Sequence, residues 1–326
     1  MRNQKHRIRL TDLLFILFKL ALIKRYQWRT FIAMIIGVLS RNPGLYSTQS
    51  IVIAGRKRKH RMLVLDPYQC SQLIQDGKHK ILYQSKPLIP LNAVIPRIGA
   101  TATDVGASLI DHFNSLGIYT TTSSEALLRA RNKWTCSQYL AGHNMPVPKS
   151  CLHFNSEFNL EILRKFTFPI VIKLLKSTQG MGVVKVADKA QALSVLEAFQ
   201  RLDEQVILQE FISEAKGSDI RVLIVNGKIE GCMRRQAKPG EFRSNLHQGA
   251  TAKPVKITSE EERIALKATE LLRLDVAGVD ILRSKKGPLI LEINASPGLE
   301  GIEQTTGNSI ADKIIEMIEQ KTGNGE

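Results

Sequence analysis

The chain has 326 residues, 43% apolar and 23% charged, the balance of a soluble globular protein with room for two or three cores; it excludes a low-complexity or membrane-embedded chain. Four scattered cysteines, Cys70, Cys136, Cys151 and Cys232, with no C-x-x-C pair, exclude a disulfide framework and a structural zinc cluster and fit reduced thiols in a cytoplasm. The net charge of +16 favours anionic partners such as nucleotides, acidic peptide tails or RNA.

Residues 1–33 form a basic and apolar extension with eight Lys/Arg against the single acid Asp12. Its apolar stretch 13–23 is interrupted by Lys19 and is too short for a membrane span, which needs about 20 residues. A basic start and apolar middle suit a signal peptide, yet no small-residue cleavage site follows. The expectation is an accessory segment or an upstream start wrongly assigned, with Met34 as the natural start; a membrane-surface helix is the alternative. A second basic cluster, Arg56-Lys57-Arg58-Lys59-His60-Arg61, reads equally well as a solvated face.

From residue 34 strands alternate with helices: strands at 34–40, 62–65 and 93–97, a helix at 105–116 and a short strand at 118–121. That alternation implies βαβ units and a mainly parallel sheet. One helix is expected over 124–142, capped by Ser123 or Ser124 and stopped by Gly142. Pro146 and Pro148 suggest a domain boundary nearby. Strands at 169–174 and 183–186 flank the Gly loop 177–182 as a hairpin, with a helix at 189–201 and a strand at 206–212. Strands at 219–225 and 228–234 are joined by Asn226-Gly227, a strong hairpin signal. A polar loop, 240–249, precedes a helix at 259–273, for which Ser259 and Glu262 are expected to form a capping box. Strands at 276–282 and 288–294 and a helix at 310–320 complete the pattern.

The acids near the last strands carry the first chemical signal. Glu292 and Asn294 are two apart on one strand and so share a face, and a hairpin partner brings Asp280 beside them. Two carboxylates and an amide oxygen make a hard oxygen site suited to Mg²⁺ shared with phosphate. Lys173 is a lone cation inside an apolar strand, where an unpaired ammonium is costly and a polyphosphate would satisfy it. Glycines in the loop 177–182 allow close approach to an anion, although the Walker spacing is absent and most such loops are plain turns. Arg221, Arg234, Arg235 and Arg243 lie near the acids, with the fork geometry that suits carboxylate and phosphate.

Together these residues resemble the ATP-grasp superfamily and, within it, the RimK-type alpha-L-glutamate ligases. The resemblance runs from about Met34 to the last helix and is densest at Val94-Ile95-Pro96-Arg97-Ile98-Gly99, at Lys176-Ser177-Thr178-Gln179-Gly180-Met181-Gly182-Val183, at Phe242-Arg243-Ser244-Asn245-Leu246-His247, at residues 275–282 and at Glu292-Ile293-Asn294-Ala295-Ser296-Pro297-Gly298-Leu299-Glu300-Gly301. Residues 1–33 have no counterpart. The implied fold is α/β, α+β in the C-terminal part: an ATP-grasp fold preceded by a Rossmann-like domain. The expected domains are 34–125, 126–212 and 213–326.

The resemblance implies that Lys133 and Lys173 contact nucleotide phosphates. Glu210 and Phe211 would flank the adenine, Asp219 would lie near the nucleotide, and Arg243, Ser244 and Asn245 would line the phosphate end. Asp280, Glu292 and Asn294 would hold Mg²⁺ or Mn²⁺, two ions in the expected case, and Arg234 and Arg243 are the expected catalytic cations. The implied reaction phosphorylates an acceptor carboxylate with ATP and lets L-glutamate attack the acylphosphate, the acceptor being the C-terminus of a small-subunit ribosomal protein. The Gly loop is expected to form part of a lid. Alternatives are a ligase for a small-molecule carboxylate, or a ribosome- or RNA-binding protein regulated by nucleotide. A homo-oligomer is allowed for; no DNA partner and no transmembrane span are expected.

Overall fold

The apolar run at 34–40 folds as β1 (Ile35–Leu39), whose Ile36 and Val38 are fully buried. After it come α1 (Tyr46–Lys57), β2 (Arg61–Leu65), the ribbon β3 (Cys70–Gln75), β4 (Lys78–Tyr83) and β5 (Lys86–Pro87), then β6 (Ala93–Pro96), α2 (Thr103–Ser115) and β7 (Tyr119–Thr120). This computed structural model describes residues 33–153, 155–175, 182–201 and 205–323, and the unit considered below is Ile35–Glu326. The readings made for residues 1–33 therefore fall, Ala33 apart, outside the described residues, as do those for the Gly loop except at Gly182.

The first sheet is parallel, in the order β2-β1-β6-β7. A near-continuous apolar strand such as β1 suits the centre of such a sheet, where both faces are covered. From β1 the chain steps to β2 on one side and returns to β6 on the other, so the winding reverses between β1 and β6. In open α/β sheets a ligand crevice opens at the carboxyl ends of the two strands flanking that reversal. The ribbon β3-β4-β5 is a separate antiparallel sheet, and its first strand is mostly exposed.

The helix expected over 124–142 is two helices, α3 (Ser124–Arg131) and α4 (Lys133–Gly142). Asn132 between them is extended, with φ −86° and ψ 105°, and its side chain accepts from Trp134 N at 3.1 Å and Thr135 N at 3.0 Å. An Asn that caps the following helix competes with continuing the preceding one. The break leaves Arg131 at the end of one helix and Lys133 at the start of the next.

The second sheet is antiparallel and built from β8 (Ser150–His153), β9 (Ile170–Leu174), β10 (Val183–Val186) and β11 (Val206–Glu210) in the order β10-β9-β11-β8. Ile170, Ile172 and Leu208 pack with Leu163 of α5 (Asn159–Leu163) and Leu196 of α6 (Lys189–Arg201) in a closed core. Strand periodicity then turns Val171 and Lys173 to the opposite face.

The third sheet joins β12 (Ser218–Val225), β13 (Lys228–Gln236), β14 (Thr251–Pro254), β15 (Val276–Ser284) and β16 (Gly287–Asn294) in the order β14-β13-β12-β15-β16, all antiparallel. Asn226 and Gly227 take φ of 49° and 70°, the left-handed pair that a two-residue hairpin turn needs. Ile220, Val222 and Ile224 pair with Ile281, Val279 and Ala277 and pack on Ile264 and Ala268 of α7 (Ser259–Leu271). The capping box of α7 is Thr258 with Glu261, one residue earlier than expected. Thr258 has the extended backbone that a cap requires, whereas Ser259 is already helical. The chain ends with α8 (Glu300–Thr306) and α9 (Ile310–Thr322). A parallel first sheet and antiparallel later sheets match the expected class. No helix among the described residues is long and apolar enough to cross a membrane, and Cys70, Cys136, Cys151 and Cys232 are free thiols.

Candidate active site

One cleft of about 870 Å³ is lined from the first, second and third sheets and from α4. On the third sheet the face opposite α7 carries its charge. Alternation along β12 sends Asp219 and Arg221 to this face, and register places Arg235 opposite Asp219 and Asp280 opposite Arg221. Glu292 stands opposite Asp280, and Asn294 opposite Gly278.

Those side chains form a ladder of ion pairs. Arg221 grips Asp280 through Nε and through Nη2, the latter at 2.7 Å from Oδ2. Arg235 donates to both oxygens of Asp219, at 2.7 and 2.6 Å, and reaches Asp280 Oδ2 at 2.9 Å. Burial pushes the Asp280 carboxyl up, but Arg221 and Arg235 outweigh it and hold the group below the usual carboxylate range. Gly278 makes room for this arrangement, since a Cβ there would lie 2.9 Å from the Pro297 side chain and 3.2 Å from Arg221 Cδ.

Glu292 is different. It is exposed to the cleft and has no ion-pair partner among the described residues. Yet its charge is felt by Arg131, Lys133 and Lys173, which ring the same space. Asn294 Nδ2 is buried without a hydrogen-bond partner among the described residues. A free carboxylate beside an orphaned amide is a place where a ligand completes the shell.

Lys173 projects from β9 on the face away from its core and donates to Gln209 Oε1 at 2.6 Å, while Gln209 Nε2 donates to Ser150 Oγ at 2.9 Å. Burial lowers the Lys173 ammonium to about 8, Glu292 opposes the shift and Lys133 adds to it. Burial likewise lowers Lys133, whose Nζ lies 3.5 Å from the Leu174 carbonyl.

The loop after β13 closes the cleft's far side. Ser244 Oγ donates to Asp219 Oδ2 at 2.6 Å, fixing the loop to the ion-pair ladder. Arg243 pairs with Glu241 at 2.7 Å, and this bond holds the Glu241 carboxyl down at about 2. Asn245 lines the cleft beside them. Phe242 meets Phe211 edge to face at 6.0 Å, and Lys185 Nζ lies 5.1 Å from the Phe211 ring centre. The two perpendicular rings with a cation beside them make an aromatic corner against which a planar heterocycle can pack. Glu210 ends β11 with its Oε1 accepting from Lys149 N at 2.8 Å, so it also splints the strand end.

Comparison with known proteins decides the lineage. A RimK-like ATP-grasp domain matches residues 130–318, and a RimK PreATP-grasp domain matches residues 34–127. The chain belongs to the RimK-like ATP-grasp family. A protein of Azotobacter vinelandii named "Probable alpha-L-glutamate ligase" is 45% identical over 293 residues, which is 90% of this chain and 97% of that one. A protein of Trichodesmium erythraeum with the same name is 43% identical, covering 90% and 98%. Among solved structures, the ATP-grasp ligase PsnB complexed with a minimal precursor superposes with a TM-score of 0.70 at 19% identity, covering 89% of this chain and 99% of that one. D-alanine–D-alanine ligase from Bacillus anthracis complexed with ATP superposes at 0.63 with 21% identity, covering 89% and 97%. At such identities these two likenesses establish the ATP-grasp fold and nothing finer.

Within this ATP-grasp cleft the expected residues Lys133, Lys173, Glu210, Phe211, Arg243, Ser244, Asn245, Asp280, Glu292 and Asn294 all appear on the lining, with Asp219 buried just beneath. Arg234 does not, which corrects its assignment as a catalytic cation. Its side chain is exposed on the other face of β13, with Nη2 donating to Gln236 Oε1 at 3.2 Å. The physical reason is a register shift in the β12–β13 hairpin between Leu223 and Ile224. A straight count back from the Asn226-Gly227 turn would set Arg234 opposite Asp219. The extra residue brings Arg235 there instead. Arg234→Ala is therefore expected to change kcat and the KM for ATP by less than about twofold, within the range of an ordinary surface substitution, as read from initial rates of ADP release.

The donor set also bears on a metal. No trio of His, Cys, Asp and Glu gathers anywhere among the described residues, so Asp280, Glu292 and Asn294 do not form a closed cage. Their oxygen donors fit a hard cation, which would take its remaining ligands from phosphate and water.

Proposed function

We propose that this chain is an ATP-dependent ligase that joins L-glutamate to an acceptor carboxylate through an acylphosphate, the acceptor being the C-terminus of a small-subunit ribosomal protein. The observation that carries the reading is the exposed Glu292, facing three cations without pairing to any of them. A protein using nucleotide only as a structural ligand has no need of a free carboxylate at the phosphate end. The identity of about 45% to proteins named as probable alpha-L-glutamate ligases supports the choice of glutamate.

In this reading the segments 34–125, 126–212 and 213–326 act as three lobes around one cleft. Phe211 and Phe242 take the adenine, with Glu210 bracing the strand beside it. Lys133, Lys173 and Arg243 bind the phosphates, and Ser244 and Asn245 add donors on the loop anchored by Asp219. One or two Mg²⁺ or Mn²⁺ ions at Asp280, Glu292 and Asn294 would neutralise charge on the phosphate oxygens. Phosphoryl transfer asks mainly for positioning and charge neutralisation, and the cations supply both. The acceptor carboxylate attacks the γ-phosphorus, and ADP leaves. The amine of glutamate then attacks the acyl carbon, an amide bond forms and inorganic phosphate departs. Free thiols and the basic surface are consistent with action in a cytoplasm on acidic protein tails.

The test measures ADP release with Mg²⁺, ATP and L-glutamate, with and without candidate acceptors, followed by intact mass. Steps of about 129 Da, one glutamyl residue each, on the ribosomal acceptor are expected. ADP release without that gain points to a small-molecule acceptor or to glutamate joined to itself. Tight ATP binding with no ADP release under any pairing would overturn the ligase reading.

A further inference from the structure

The motif Val94-Ile95-Pro96-Arg97-Ile98-Gly99 has no part in the assignments above, yet it ends inside the cleft. Arg97 follows β6 directly and its backbone N donates to Leu39 O of β1 at 2.9 Å. It therefore sits at the carboxyl ends of the two strands between which the sheet reverses, where open α/β sheets hold ligands. Arg131, at the end of α3, comes to the same place: its Nη2 donates to Ile98 O at 2.6 Å. Arg97 Nη2 donates to Pro297 O at 2.7 Å, in the loop just after Asn294. Each guanidinium is thus aimed by one main-chain carbonyl, and neither pairs with a carboxylate among the described residues. Two like charges held side by side without a counter-ion are costly. Burial pushes Arg97 down to about 10 and the neighbouring Arg131 adds to the effect.

We propose that Arg97 and Arg131 form a carboxylate-binding subsite that holds the acid group of a substrate beside Glu292. The proposal rests on the ligase reading above. Several features favour a carboxylate over a further nucleotide phosphate. Arg97 follows a strand of the first sheet and Arg131 ends α3, whereas Lys173 lies on the second sheet and Phe211 follows its strand β11. Two planar forks match a planar two-oxygen anion. The charge of Glu292 is felt by Arg131, so a group bound there lies next to the site where phosphate is transferred. Being set on strand and helix ends, the forks are rigid enough to orient what they bind. The carboxylate has two sources, L-glutamate or the acceptor's chain end, and the same chemistry serves either.

The experiment compares wild type with Arg97→Met, Arg131→Met and Arg97→Lys, reading separate KM values for ATP, L-glutamate and an acceptor peptide ending in glutamate. Loss of a charge-assisted fork is expected to raise one carboxylate substrate's KM by about 10–100-fold. The KM for ATP should move less than about threefold, and Arg97→Lys should recover part of the loss. A rise confined to glutamate assigns the subsite to the amine substrate; one confined to the peptide assigns it to the acceptor. Equal rises in all three KM values, with a lowered melting temperature, would mean a purely structural role and overturn the proposal, as would an effect on ATP alone. Calorimetric titration of glutarate into protein loaded with a non-hydrolysable ATP analogue and Mg²⁺ separates the two readings. Binding lost in Arg97→Met upholds the subsite even if wild type fails to use glutamate, and absence of any binding of glutarate, glutamate or the acceptor peptide to wild type refutes it.

Discussion

Glu292→Gln is expected to lower kcat for ADP release by about 10²–10³-fold, the usual consequence of removing one pre-placed charge that acts on a phosphoryl transition state. The melting temperature should stay within a degree or two. Both halves follow from the same geometry. Glu292 is exposed and makes no ion pair among the described residues, so folding gains little from its charge. Gln keeps the shape and one oxygen but removes the negative charge that Arg131, Lys133 and Lys173 surround. Initial rates at saturating Mg²⁺ and a thermal melt decide it. A kcat within threefold of wild type would show that Glu292 is only a solvated acid on a strand, and the hard-cation site would lose its main ligand. Asp280 gives no such clean test. It is clamped between Arg221 and Arg235, and removing it would leave the buried Arg221 guanidinium uncompensated and Arg235 with Asp219 alone, at a cost of about 3–5 kcal/mol.

Much of this site was legible because its parts obey short-range rules. A period of two puts Glu292 and Asn294 on one side of β16, and the basic turn makes β15 its hairpin partner, although a one-residue shift between Asp280 and Ile281 is what sets Glu292 rather than Leu291 opposite Asp280. Lys173 stands out as the one cation in an apolar strand. Where the sequence misleads, the cause is a single residue of offset. The shift in the β12–β13 hairpin exchanges the faces of Arg234 and Arg235, and nothing local to 223–230 announces it. Asn132 hides a helix break because Asn is tolerated, if not favoured, inside helices, and only its hydrogen bonds to Trp134 and Thr135 reveal a cap. The ribbon β3-β4-β5 was missed because its first strand is largely exposed and lacks the alternation that marks a half-buried one. Arg97 and Arg131 lie 34 positions apart on different elements. Only the packing of α3 against the end of β6 joins them.

Lys173→Met is expected to raise the KM for ATP about 10–100-fold, the value of a buried charge-assisted contact to phosphate, and at the same time to stabilise the nucleotide-free protein. The second effect identifies the first as functional. In the folded chain burial lowers the ammonium from its model-peptide value of 10.5 to about 8, so at neutral pH folding must carry a charged group into surroundings that disfavour it. That shift corresponds to roughly 3 kcal/mol, reduced by the hydrogen bond to Gln209 that Met would forfeit. The sign with pH is fixed by linkage: a lysine whose folded pKa is lowered costs the full amount below that pKa, and the cost disappears as pH rises from about 8 towards 10.5. The stability gap between Lys173→Met and wild type should therefore be widest below pH 8 and close above it. Affinity for ATP runs the other way. The polyphosphate binds the charged lysine, so the wild-type KM should be flat below pH 8 and climb above it, while the variant's stays level through the same window. Melts and ATP titrations across pH 6.5–10 test both. A residue kept for packing would give a variant less stable than wild type at every pH, with no change in the pH profile of the KM. A residue kept for phosphate gives crossing trends: a site that is costly when empty and is relieved when its ligand arrives.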